Sequence, residues 1–158
     1  MRTVICGFPG IGKTYFKNHM SKLEVHDSDS SQFHWLENKE PHPEWPNNYI
    51  DHIKSLDGIV LCSTHENVLD ALDEAGIEYF LVFPMEKAKA TYLTRFRNRG
   101  SSTQFMERLN ENWESWIKGL ENRNIPGMRK LRLIEGQTLY SVWNTFEILF
   151  GLDMTLKM

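Results

Sequence analysis

The chain has only two cysteines in 158 residues. Two thiols cannot build the disulfide framework of a small secreted scaffold, and with no export signal they point to a reducing cytoplasm. No run of 18 apolar residues exists, so no membrane span is expected. The opening MRTVICGFPG turns glycine-rich too early for a signal peptide. No internal repeat, low-complexity tract or linker divides the chain, and residues 1–158 read as one domain. At 41% hydrophobic and 25% charged, the composition excludes a disordered tail and a collagen-like rod.

Charge is also scarce in net terms, at -3, which argues against a protein that coats long nucleic acid. Its placement is uneven. Residues 87–132 hold 11 of the 18 Lys and Arg but 4 of the 21 Asp and Glu, a local net of +7. A basic segment on an acidic body suits a small anionic ligand better than a polyanion.

Apolar runs of strand length alternate with helical patterns. Strands are expected at Thr3–Cys6, Leu23–His26, Gly58–Cys62, Glu78–Phe83 and Lys130–Ile134. Helices are expected at Lys13–Lys22, Asn48–Leu56, Glu66–Ala75, Lys87–Asn98, from Ser101 onward, and at Thr138–Phe150. Ser101 with Gln104 reads as a capping box for the helix that carries Phe105, Leu109, Trp113, Ile117 and Leu120 at helical spacing. Such alternation implies parallel strands joined by crossovers, and hence an α/β domain in three layers with five strands. Residues 30–47 show no period but carry Pro41, Pro43, Pro46, Phe33, Trp35 and Trp45.

Gly7-Phe8-Pro9-Gly10-Ile11-Gly12-Lys13-Thr14 matches G-x-x-x-x-G-K-[ST], the phosphate-binding P-loop, between an expected strand and an expected helix. Its glycines let backbone N–H groups turn inward around phosphate oxygens, and the helix N-terminus adds partial positive charge. Lys13 is placed to reach the β and γ phosphates, and the Thr14 hydroxyl to hold Mg²⁺. On these residues the chain resembles the P-loop kinase family of nucleoside monophosphate, shikimate-type and polynucleotide 5′-kinases, and most of all small bacteriophage kinases. The resemblance runs from Thr3 to about Phe150. It implies a five-stranded parallel sheet in the order 2-3-1-4-5, with ATP and Mg²⁺ at the strands' C-terminal ends.

Asp27-Ser28-Asp29 follows the second strand and falls at the same sheet edge as the P-loop. Two carboxylates there can divide the work, one supporting the metal through water and one taking a proton from an attacking hydroxyl. Similarity to the D-x-D of shikimate-type kinases gives Asp27 to the metal and Asp29 to the acceptor; the same residues are also ordinary turn and cap chemistry. The family carries a lid where this chain has residues 95–101, and lid arginines neutralise the transferring phosphoryl group. Arg95 and Arg99 share a helical face and are the candidates for that role, with Arg97 as a substrate contact; three solvated arginines at a helix C-terminus is the plainer alternative. The 30–48 stretch would bind the acceptor, with Phe33, Trp35 and Trp45 stacking a base or else forming the loop's own small core.

An acid is expected at the end of the third strand, where this chain reads Cys62-Ser63-Thr64-His65. Metal support then falls to Thr14 and Asp27, or to Ser63. The six histidines precede Glu66 without zinc-ligand spacing, and Cys6 and Cys62 read as buried free thiols. The expected activity is ATP-dependent transfer of a phosphoryl group to a nucleotide. A hydroxyl acceptor (nucleoside, modified base or polynucleotide 5′ end) with Asp29 as base is the alternative, and a non-catalytic nucleotide sensor is the alternative of another class.

Overall fold

The computed structural model describes residues 2–20 and 22–150. The central strand β1 (Arg2–Gly7) has five buried residues, Thr3 to Gly7, because it is covered on both faces and paired on both edges. It pairs with β3 (Gly58–Cys62) in a register that sets Cys6 beside Cys62. On its other side it pairs with β4 (Tyr79–Pro84). The edges are β2 (Val25–Asp27) and β5 (Met128–Leu133). All neighbours are parallel and the order is β2-β3-β1-β4-β5, the order that the sequence resemblance implies.

Right-handed crossovers in that order send α1 (Lys13–His19) to one face, where it packs against α7 (Leu139–Phe150). The other face carries α3 (Asn47–Lys54), α4 (Glu66–Glu74), α5 (Lys89–Asn98) and α6 (Thr103–Asn122). Each of these shows its apolar stripe to the sheet: Tyr49, Ile50 and Ile53 on α3, and Leu109, Trp113, Ile117 and Leu120 on α6. Among the described residues no helix is long and apolar enough to cross a membrane, and both cysteines are unpaired and buried.

Most boundaries differ from the expected ones by one to three residues, and two differences have clear causes. The stretch without period contains a short helix, α2 (Ser31–His34), and a single bridge between Trp35 and Pro41. A four-residue helix is too short to show a 3.6-residue pattern. The cap of α6 is Ser102, whose Oγ accepts from the Phe105 N–H at 3.1 Å, and not Ser101. Ser101 is already used to end α5: its N–H donates to Phe96 O while the Gly100 N–H donates to Arg97 O, with Gly100 at φ 77°. That pair of bonds is a Schellman closure, and it leaves the next serine to open the following helix.

Candidate functional site

The site begins where β1 runs out at the C-terminal edge of the sheet. Gly10 and Gly12 stand at φ 88° and 91°, in left-handed backbone that only glycine adopts without strain. The loop's N–H groups divide into two sets. Those of Phe8 and Ile11 are turned inward on the protein, to Val82 O (2.9 Å) and Phe8 O (3.3 Å). The N–H groups of Gly10, Gly12, Lys13 and Thr14 have no partner among the described residues. Phe8 and Ile11 are therefore anchors: both side chains are buried, Phe8 edge-on to Trp113 at 5.4 Å. Pro9 stays partly exposed beside the loop's mouth.

The loop is held from behind by its carbonyls. Arg95 donates from Nη1 to Gly10 O at 2.9 Å and from Nη2 to Gln137 O at 3.3 Å, with its guanidinium 4.5 Å over the Tyr92 ring. The Leu139 N–H donates to Ile11 O at 2.9 Å. With its acceptors satisfied from behind, the loop presents free donors forward, the arrangement that binds an anion.

Lys13 opens α1 and its Nζ donates to Gly7 O at 2.5 Å. Burial pulls its pKa below the ordinary lysine value; Asp27 opposes that, and Arg99 adds to it. Lys13, Asp27 and Arg99 thus share one electrostatic neighbourhood. Thr14 is exposed one residue on, and Asp27 is exposed at the last position of β2. Asp29 is exposed too, and its Oδ1 accepts from the Ser31 N–H (2.9 Å) and Oγ (2.8 Å). Its carboxylate therefore starts α2, the turn chemistry open at the sequence level.

Of the arginines, Arg99 closes α5 with its guanidinium 5.0 Å over Phe96. Arg97 is exposed, without a partner among the described residues. The turn from α5 to α6 is only Arg99 to Ser102, so this segment is a tight corner and not a long flap. Phe33 packs on Tyr49 (5.3 Å) and stacks on His52 (4.7 Å). Trp35 stacks on His34 at 4.2 Å, and His34 on Trp45 at 4.4 Å. Both rings thus have partners within their own loop and α3, and neither lines the cavity described next.

That cavity, of about 620 Å³, opens beside Phe8 and Pro9 and runs between the start of α4 and α6. Its mouth carries His65 and Arg108, which sequence reasoning missed as a pair. Burial lowers the His65 pKa, and the charges of Lys13 and Arg108 lower it further. Arg108 has no acidic partner among the described residues. In sequence it sits one place off the buried stripe of α6 and reads as one more solvated helix charge; only the packing of α6 beside α4 turns it to the P-loop.

At the end of β3 stands Cys62 rather than an acid, beside Cys6 of β1. Burial pushes the Cys6 thiol up, and the hydrogen bond that Cys6 makes holds Cys62 down. Among the described residues no cluster of His, Cys, Asp or Glu forms a metal cage. Mg²⁺ does not ask for one: it keeps several waters and takes one or two protein oxygens beside phosphate, which the exposed Thr14 and Asp27 fit. Compared with protein-family models and with curated proteins, the chain matches none.

Proposed function

We propose that the protein is an ATP-dependent phosphotransferase that moves the γ-phosphoryl group to a nucleotide. The observation that carries this reading is the set of N–H groups of Gly10, Gly12, Lys13 and Thr14 without partners among the described residues, with the half-buried Lys13 ammonium beside them. These donors bind the triphosphate, and the Lys13 ammonium leaves Gly7 O to meet the β and γ oxygens. Mg²⁺, held by Thr14 with Asp27 through water, would supply neutralising charge. Arg95 keeps the loop in shape through Gly10 O, a positioning task. Arg99 lies close enough to be felt at Lys13 and offsets charge on the transferring group.

A monophosphate is favoured as acceptor by the unpaired Arg108 at the mouth of the adjoining cavity. Its phosphate oxygen attacks the γ phosphorus while the bond to the β-bridging oxygen breaks, giving a diphosphate and ADP. Such an oxygen is already a nucleophile, so no general base is needed, consistent with Asp29 being spent on Ser31. The test is transfer from labelled Mg-ATP to deoxynucleoside monophosphates, nucleosides and 5′-hydroxyl oligonucleotides, with Lys13→Ala as control. Transfer to monophosphates, lost in the control, is the expected result. Transfer to hydroxyl acceptors alone would return the base role to Asp29. Tight ATP binding with no transfer to any acceptor would leave a nucleotide sensor.

A further inference from the structure

Of the five tryptophans, four have ring neighbours. Trp35 and Trp45 stack on His34, Trp113 lies against Phe8 and Tyr92, and Trp143 lies against Phe16. Trp116 has neither a ring contact nor a hydrogen bond among the described residues. It is 37% exposed and lines the cavity between α4 and α6.

The same wall of α6 carries Ser115 and Gly119. A glycine in the interior of a helix is destabilising relative to alanine. At Gly119 a Cβ would meet nothing within 4 Å, and the backbone there is ordinary helix. Neither packing nor backbone conformation calls for glycine. What the two small residues do is leave room beside a part-exposed indole that has no ring contact among the described residues. Arg108, also without a partner, stands on this wall about 12 Å nearer the P-loop at 1.5 Å per residue. That separation suits a planar ring joined through a sugar to an anionic group. The volume, about 620 Å³, lies within the usual range for a small-ligand site. Glu66 is the one carboxylate among the lining residues, and Arg123 at the far end is already paired with Asp70 and Asp73.

We propose that this groove takes the planar ring of the phosphoryl acceptor, stacked on Trp116, with the acceptor's anionic group turned towards Arg108 and the P-loop. The proposal deepens the phosphotransferase reading and rests on it for the ligand's role. It moves the acceptor's ring away from the 30–48 stretch, where the aromatic rings already have partners.

The experiment measures binding of the four common deoxynucleoside monophosphates and their nucleosides by calorimetry, and acceptor KM where transfer occurs. Wild type is compared with Gly119→Leu, Gly119→Ala, Trp116→Ala, Trp116→Phe and Trp35→Ala. Helix propensity predicts that Gly119→Ala raises Tm by about 2–4 °C, which guards against a folding defect at that position. At least one monophosphate is expected to bind, and more tightly than its nucleoside. Gly119→Leu fills the groove and should weaken it at least about tenfold. Trp116→Ala should weaken it about 5- to 150-fold, the worth of one stacked base, with Trp116→Phe recovering most of the loss. The KM for Mg-ATP should stay within about twofold in each, since none of these residues touches the P-loop donors.

Saturable binding by none of the eight compounds overturns the proposal. So does transfer with an unchanged acceptor KM in both Gly119→Leu and Trp116→Ala, which would leave the kinase reading standing. A rise in acceptor KM in Trp35→Ala alone puts the ring on the 30–48 stretch and also overturns it. Monophosphate binding that Gly119→Leu weakens, without any transfer, supports the groove as a site and ends the kinase reading.

Discussion

At Lys13, burial and charge pull in opposite directions. Desolvation disfavours the ammonium, Asp27 favours it, and desolvation dominates, so the pKa lies below the free value of 10.5. In the window between the folded and unfolded pKa values the unfolded chain binds more protons. Stability of the free protein therefore rises with pH there, and the penalty is full at lower pH where both states are charged. Phosphate beside Lys13 favours the charged form, so binding takes up a proton in that window. Mg-ATP affinity is expected to fall as pH climbs through the depressed Lys13 pKa, and an affinity series against pH with Lys13→Arg should flatten the fall. His65 gives a second reading at the same scale. Burial and the charges of Lys13 and Arg108 hold its pKa below 6.5, so it is neutral at pH 7. An NMR titration should show it protonating below 6.5 in the free protein, and at higher pH when a monophosphate occupies the mouth. A His65 that titrates unchanged with ligand would place the anion elsewhere.

Between α5 and α6 the chain makes two helix ends in four residues. Gly100 and Ser101 close one helix and Ser102 opens the next. Ser102→Ala should cost about 1 kcal/mol in denaturant unfolding, while Ser101→Ala, which keeps its backbone N–H, should stay within about 0.5 kcal/mol. Equal losses would mean that the cap is shared. The same logic applies at Asp29, whose carboxylate is an acceptor for two groups of Ser31. Asp29→Ala should lower stability by about 1 kcal/mol and leave transfer to a monophosphate within about threefold. A loss of several orders of magnitude would restore the base role.

Across the whole molecule, Arg123 ties the far end of α6 to α4 and β4. It donates to Asp70, Asp73 and the Tyr79 hydroxyl, and its side chain is 14% exposed. Removing it leaves Asp73, whose side chain is 17% exposed, with the Tyr79 hydroxyl but without its cation, so Arg123→Ala should cost about 2 kcal/mol. Because the tie lies at the opposite end of α6 from the P-loop, Mg-ATP binding should survive in the folded fraction, as calorimetry on the variant would show. The basic segment of the sequence is carried by α5, α6 and the edge strand β5, and part of it is already neutralised by Glu114, Glu121, Asp70 and Asp73. What remains open near the P-loop is Arg99 and Arg108, a field scaled to a small anion rather than a long one.

The alternation of short apolar runs with helical patterns, and one glycine-rich loop between strand and helix, were enough to determine a parallel α/β domain and the position of the loop on which the proposed anion site rests. Those signals are local: a buried strand must be apolar, and a loop that turns successive N–H groups inward must contain glycine. The tertiary structure decided what local patterns cannot hold. It divided the loop's residues into anchors and free donors, because Val82 O and Phe8 O claim two of its N–H groups. It spent Arg95 on the loop's carbonyls and Phe33 and Trp35 on their neighbours, since whether a ring or a guanidinium is free depends on what packs against it. It also brought Arg108 and Trp116 of α6 beside α4, some forty residues away in sequence, to make a cavity that has no signature in either segment alone.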